Sequence, residues 1–398
     1  MSHPEAPAGP ALRILHLCLA CFYIDGCSYQ ENLLPRYHQR AGHEVQIIAS
    51  LVTFDSSGEV CLLPRAETYR NEDGMTVTRL DYWPGRSAAR LRVYRGLTAA
   101  IERAAPDVIF AHGPQFLDAW RVVRHVRRHP GVRLFVDNHA DHGNSARSRV
   151  SRLVLHQLLW RASARVLART ADRMFGVLPA RVDFLTEVYK VPREKVAYLP
   201  LGADDDLLQG VTPETTAAFR QRHGVAPEDL LVVTGGKIDP SKRATLDLMR
   251  AVHSLRGRRV RLIVFGTVVP ALRAEFESLV DQERVTFLGW LDDLQSTLCF
   301  GAADVVVFPG HHSVFWEQVC AIGTPLVVTR ADAKAHLDLG GNCRYLASNS
   351  EEDIEEALRV LLNQPEVLTA MTAAAASPER HRFSYRAIAE QSIGRDPR

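Results

Sequence analysis

The chain has 398 residues, 46% hydrophobic and 24% charged, with a formal net charge of +2. That length exceeds one ordinary core and fits two domains of roughly 150–200 residues each. A charge so near neutral gives no reason to expect bulk nucleic-acid binding. No uncharged apolar run reaches about 18 residues, so no membrane-spanning helix is expected.

Residues 1–10 are Pro/Ala-rich and lack the basic head and long apolar core of a signal peptide, so they read as a disordered leader. Residues 13–19 read as a buried strand, 29–40 as a helix stopped at Gly42, and 44–50 as the next strand. A further strand candidate covers 75–82. Strands recur at 108–111, 133–136, 173–177 and 196–199 with helical patterns between them. Such βαβ alternation predicts a mainly parallel, doubly wound sheet over 11–203. Residues 204–213 carry an Asp run, Gly210 and Pro213, which is a linker composition. The pattern restarts over 214–376, with strands at 230–234, 261–265, 285–288, 305–308, 326–328 and 344–347, and 377–398 form a closing segment. The expected class is α/β, two Rossmann-like doubly wound domains facing a central cleft, with ligands at the carboxyl ends of the strands.

Cations are almost all arginine; the only lysines are Lys190, Lys195, Lys237, Lys242 and Lys334. With the abundant alanine, this fits a GC-rich, bacterial coding sequence, and it makes Lys237 and Lys242 stand out as a close pair. They flank Gly235-Gly236-Lys237-Ile238-Asp239-Pro240-Ser241-Lys242, in which a strand runs into glycines and then towards a helix. Backbone amides freed by glycine, a helix N-terminus and two ammonium groups suit a diphosphate. A solvated loop with surface lysines is the plain alternative. A second candidate is Glu317, early in an otherwise apolar helix that follows a strand end. A carboxylate there needs a partner, which a ribose diol would supply; a helix N-terminal acid favoured by the dipole is the alternative. The seven cysteines are an odd number scattered through apolar runs, which reads as reduced thiols in the cytoplasm. Cys18 and Cys21 form one C-x-x-C with no second pair for zinc.

These two elements resemble the retaining family-four glycosyltransferases of GT-B fold, also described as group 1. Gly236-Lys237 with Lys242 resembles the family's G-[RK] loop and following lysine. Glu317 with Gly323-Thr324-Pro325 resembles its glutamate-bearing helix and the turn after it. Leu288-Gly289-Trp290, Gly42-His43-Glu44-Val45, Leu199-Pro200-Leu201-Gly202-Ala203-Asp204 and Phe383-Ser384-Tyr385 match further family segments in order along nearly the whole chain.

The resemblance implies transfer of a sugar from a nucleoside diphosphate sugar to a hydroxyl acceptor, with retention and without a metal or other cofactor. It assigns Lys237 and Lys242 to the donor diphosphate, Lys242 also to catalysis, and Glu317 to the ribose. Gly26 matches a loop whose amides face the phosphates, and His139 matches a catalytic-site histidine close to the donor sugar. One departure stands out: the family's first glutamate is missing, and Gly310, His311, His312 and Ser313 take its place. His312 and Ser313 are candidate contacts to sugar or phosphate; a structural role for the histidines is the alternative. His112, at a strand end, is read as cleft-facing or structural.

Three other functions remain open at this stage. A nucleotide-sugar-binding protein without catalysis would fit the missing glutamate, and a sugar-nucleotide epimerase would fit a similar two-domain fold. Asp137-Asn138-His139-Ala140-Asp141-His142 partly resembles the histidine–aspartate cluster of binuclear metal hydrolases, the remotest alternative. Arginines interleaved with apolar residues and Trp160 over 147–173 suggest either a basic helix face in solvent or a peripheral contact with the inner face of a membrane.

Overall fold

The computed structural model of the chain describes residues 10–55, 59–142, 151–329 and 335–395. The chain forms two compact units, Met1–Pro200 with Tyr385–Arg398, and Leu201–Ser384. Most of the expected leader (residues 1–9), and Arg147 and Arg149 of the basic segment, lie outside the described residues.

The first unit contains strands β1 (Arg13–Cys18), β2 (Glu44–Ala49), β3 (Val52–Phe54), β4 (Val60–Leu62), β5 (Thr68–Arg70), β6 (Thr76–Arg79), β7 (Val108–His112), β8 (Arg133–Asn138), β9 (Arg173–Gly176) and β10 (Val196–Tyr198). Its helices include α1 (Gln30–Arg40), α2 (Leu97–Ala104), α3 (Ala119–Arg128), α4 (Arg161–Ala168) and α5 (Pro179–Glu187). Eight strands make one sheet in the order β10-β9-β8-β7-β1-β2-β6-β5. Its ladders are parallel except β5–β6, and β3 and β4 form a separate antiparallel pair. Parallel strands covered on both faces must be apolar on both, which is why β1 and β7 read as continuous buried runs. Alternation along β1 sends Leu15 and Leu17 into the core beneath α2 and α3, and Ile14 and Cys18 into the core beneath α1. His16 shares the face of Ile14 and Cys18.

The second unit has six parallel strands, β11 (Leu230–Ile238), β12 (Val260–Val268), β13 (Val285–Phe287), β14 (Val305–Phe308), β15 (Leu326–Thr329) and β16 (Cys343–Leu346). Their order is β13-β12-β11-β14-β15-β16. Helices α6 (Asp205–Gln209), α7 (Pro213–Arg222), α8 (Ala244–Ser254), α9 (Pro270–Ser278), α10 (Asp293–Ala302), α11 (Phe315–Ile322), α12 (Glu351–Asn363) and α13 (Pro365–Ala375) accompany them. Two hydrophobic cores line the two faces of this sheet.

Three expectations are corrected. Residues 204–213 hold helix α6 and the capped start of α7 rather than a plain linker: the Asp204 side chain caps α6 by accepting from Asp206 N, and Thr212 and Thr215 form a reciprocal capping box on α7. Asp and Pro serve there as helix starts, which a composition reading confuses with linker. β11 does not stop at 234 but runs through both glycines to Ile238. Gly235 permits this because a Cβ would lie 2.4 Å from the Phe265 ring. The closing segment changes unit at Tyr385 rather than 377, because Pro378–Phe383 is a 3-10 turn within the second unit. Beyond it α14 (Tyr385–Ser392) packs on the first unit, with Tyr385 stacked on Tyr37 at 6.2 Å.

Candidate functional site

In the second unit β11 and β14 are neighbours although two strands separate them in sequence, so their following connections depart in opposite directions and open a crevice at their carboxyl ends. From β11, Gly236 has φ +113°, a value that disfavours any side chain. A Cβ on it would lie 3.4 Å from Lys242 Nζ and 3.5 Å from the Phe315 ring. The Lys242 ammonium therefore sits over bare backbone, beside the first residue of α11. Asp239 shapes the turn that brings it there by accepting from Ser241 N at 2.9 Å. Desolvation by burial pulls the Lys242 ammonium below its ordinary pKa, and Asp239 offsets part of that. Lys237, still within β11, is exposed.

From β14, Gly310 donates its N–H to Thr329 Oγ1 at 2.7 Å and lies against the Ser241 carbonyl, 3.7 Å from where its Cβ would be. The loops after β11 and β14 thus meet. Glu317, in the first turn of α11, is fully buried. His312 Nε2 lies 2.8 and 3.0 Å from its two oxygens, and His336 Nε2 lies 2.9 Å from Oε1. Burial alone would raise the carboxyl pKa, but His312 and His336 bring it down to about 2. The ring of His312 also meets Trp316 edge-on at 5.2 Å. Ser313 Oγ lies 3.5 Å from Phe315 N, at the start of α11. His312, Glu317 and His336 form the group of described residues whose donor atoms are close enough, within 4.8 Å, to share a cation. Here each imidazole N–H instead answers the carboxylate directly, which satisfies the buried charge by hydrogen bonds.

In the first unit Gly26 has φ +75° and donates its N–H to Glu72 Oε1 at 3.1 Å, so a carboxylate occupies the position where an anion would be received. The loop that carries Gly26 is anchored by Arg79, 2% exposed, which donates to the carbonyls of Tyr23 and Ser50 and pairs with Asp25 at 3.1 Å. His139 follows β8, its Nε2 3.3 Å from Asp137 Oδ2. Asp137, fully buried, accepts from His112 Nδ1 at 3.0 Å and from Gly113 N at 2.9 Å.

The residues from 29 to 202 match the family model of the glycosyl transferase 4-like domain, and those from 229 to 364 match that of the glycosyl transferases group 1. The chain belongs to the group 1 glycosyltransferases. A mannosylfructose-phosphate synthase of Agrobacterium fabrum is 24% identical over 244 residues, 57% of this chain and 53% of that protein. The chain spans about half the length of the curated relatives it matches. Among solved structures, a sucrose-phosphate synthase from Thermosynechococcus elongatus superposes with a TM-score of 0.66 at 16% identity, covering 97% of each chain. Anabaena HepE, solved in complex with UDP and glucose, superposes at 0.62 with 17% identity, covering 95% of this chain and 97% of that one. These likenesses establish the GT-B fold.

For this group 1 glycosyltransferase, the structure gathers Lys242, Gly310, His312, Ser313 and Glu317 at one strand-end crevice, with Lys237 exposed on the same strand. Gly26 and His139 lie in the other unit. The hydrolase alternative fails on geometry. Asp141 pairs with Arg181 at 3.1 Å, His142 meets Phe184 edge-on, and Asp137 faces histidines, so that stretch does not form a ligand cluster among the described residues. In the basic segment Trp160 is buried under Arg92, whereas Arg165, Arg169 and Arg173 face solvent. No helix of the described residues is long and apolar enough to cross a membrane.

Sequence reasoning missed His336, Arg79 and the partners of His112. His336 carries no local signal, being brought to Glu317 only by the path of the chain beyond β15. A signal did exist for His16, a polar residue inside a fully buried strand, since such a group must find a partner.

Proposed function

We propose that this protein transfers a sugar from a nucleoside diphosphate sugar to a hydroxyl acceptor, with the anomeric configuration retained. The observation that carries this reading is the Lys242 ammonium held over bare Gly236 backbone beside the start of α11, at a topological switch point. A cation partly stripped of water, with no side chain between it and the crevice, suits a departing diphosphate. In this reading Lys237 adds a second, solvated cation. Glu317 takes the ribose hydroxyls, which would replace the His312 donor while His336 stays in place. Ser313 and the displaced His312 then face the sugar phosphate, and the family resemblance assigns His139 a role in the transfer. The diphosphate charge is met by lysine, so no metal is required. Anabaena HepE, of the same fold, was solved with UDP and glucose, which supports a nucleoside diphosphate as the donor carrier. All seven cysteines are free thiols, which fits a reducing compartment such as the cytoplasm.

The test is a thermal-shift series with UDP, GDP, ADP and their sugars, followed by product analysis with the donor that binds. Transfer or donor hydrolysis supports the enzyme. Binding without turnover would leave a nucleotide-sugar-binding protein, and an isomerised sugar on the same nucleotide would make it an epimerase. No nucleotide raising the melting temperature would refute the site.

A further inference from the structure

Three histidines distant in sequence form one buried chain in the first unit. His112 Nδ1 lies 3.0 Å from Asp137 Oδ2, and His112 Nε2 lies 3.0 Å from His16 Nδ1. His16 Nε2 lies 3.0 Å from His38 Nδ1, and His38 Nε2 lies 2.9 Å from the Ala389 carbonyl and 3.0 Å from Ser392 Oγ. Each of the three imidazoles is 0–1% exposed, and Asp137 is 0% exposed. The chain therefore runs without solvent from the end of β8, through β7 and β1, to α1 and the C-terminal α14.

The protons in this chain can be counted. Both ends are acceptors: a carboxylate at Asp137, and at α14 the Ala389 carbonyl, 2.9 Å from His38 Nε2, to which the Ser392 hydroxyl also donates at 2.8 Å; a serine proton turned to His38 instead would leave that nitrogen's lone pair against the carbonyl. Every link needs one proton, so four links need four. Three neutral imidazoles supply only three. A link without a proton would set two lone pairs against each other at 3.0 Å with no water to relieve them. The set therefore holds one proton more than three neutral histidines can provide. Gly113 N–H on Asp137 Oδ1 and the His139 ring beside Oδ2 favour a carboxylate there, so the extra proton belongs to the imidazoles.

We propose that Asp137, His112, His16 and His38 form a proton-holding relay that carries a single imidazolium at neutral pH and keeps Asp137 ionised beneath His139. An ionised Asp137 draws the His139 proton to Nε2, so that Nδ1 carries the lone pair. His139 is then set as an acceptor for a hydroxyl proton, with a fixed anion behind it to stabilise the imidazolium that follows. His16, His38, His112 and Asp137 are positioning residues that act through His139. This rests on the proposed role of His139 in sugar transfer.

The surroundings place the charge at one end. Burial pulls His112 down, but the facing Asp137 carboxylate, with Glu31 of α1, counters it and the ring is raised to about 9. Burial, with His38 and His112 as neighbours, keeps His16 far below the usual histidine value. Burial, with His43, His112 and Arg395 nearby, brings His38 to about 3. Phe110 of β7 packs on both His16 and His112 and adds no charge.

Nitrogen NMR of the full chain labelled at histidine, read without substrate from pH 6 to 8, tests the relay. One of the three relay histidines should show two protonated nitrogens and the other two one each. Three neutral rings, or more than one imidazolium, would overturn it. Two variants at the far end sharpen the count. His38→Phe removes the terminal links, so two neutral rings suffice and the imidazolium, now favoured only by the charge of Asp137, should be lost at a lower pH than in the parent. His38→Gln can still accept from His16 and donate to Ala389, so the signature should remain. An imidazolium that persists to the same pH in the first variant as in the parent, or is lost in the second, refutes the relay. If the phenylalanine variant does not fold, the parent protein and His38→Gln still decide. In turnover, His38→Phe should lower kcat about tenfold, the scale on which removing an orienting partner weakens a site. Donor KM should stay within about twofold. An unchanged kcat after loss of the signature would remove the positioning role. Failure to find any transferase activity would fall on the proposed function and leave the nitrogen result standing.

Discussion

Replacing Lys242 by methionine removes one charge and keeps most of the stem that packs beside Gly236 and Phe315. A unit charge about 4 Å from a phosphate oxygen at an effective dielectric near 20 is worth about 4 kcal/mol. Part of that is already spent, because the ammonium is partly withdrawn from water in the free protein, which lowers its pKa. The net loss should then resemble that of a charged hydrogen bond, about 2–3 kcal/mol, or about 30- to 150-fold in affinity. Calorimetric titration with the nucleoside diphosphate and with the bare nucleoside separates the effects: only the diphosphate should weaken. The free protein should not lose stability, because a lysine with a depressed pKa in the folded state opposes folding while it is charged. Diphosphate binding within about threefold of the parent, in a folded variant, would refute the assignment of Lys242. An equal loss for the nucleoside would show that the site had been disturbed rather than uncharged.

Glu317 sets an acid limit on stability. Its pKa falls from an ordinary 4.5 to about 2 in the folded chain, so its contribution is present above the ordinary value and is lost as pH drops towards 2. Urea midpoints measured across that window should fall less steeply in Glu317→Gln. Arg79→Met should cost about 3 kcal/mol in urea unfolding, because it strands the carbonyls of Tyr23 and Ser50 and frees Asp25. The same variant should speed proteolysis of the loop carrying Gly26. Exhaustive chelation should leave turnover unchanged, since lysine meets the diphosphate. Loss of activity restored by a divalent cation would instead turn attention to His312, Glu317 and His336 as ligands.

Much of this protein is legible from its chain alone because the relevant signals are local. A buried parallel strand must be apolar on both faces, so β1, β7, β11 and β14 stand out as short apolar runs whatever surrounds them. Gly236 lies near the end of β11, Lys242 and Glu317 lie in the helical segments that follow β11 and β14, and the order of strands and helices places all three at the carboxyl ends of the strands before any contact is known. Local composition misled where one residue type serves two purposes: the Asp run at 204–206 and Pro213 start helices, and Gly235 extends a strand. The tertiary structure alone decided which buried polar groups answer one another. Glu317 meets His336 only because the chain returns beyond β15, Arg79 reaches the Gly26 loop across the sheet edge, and His16, His38 and His112 meet because β1, α1 and β7 pack together. None of these partners shares a local pattern. Each is required because a charge or a hydrogen-bonding group taken out of water must be paired, and sequence shows that need without showing where it is met.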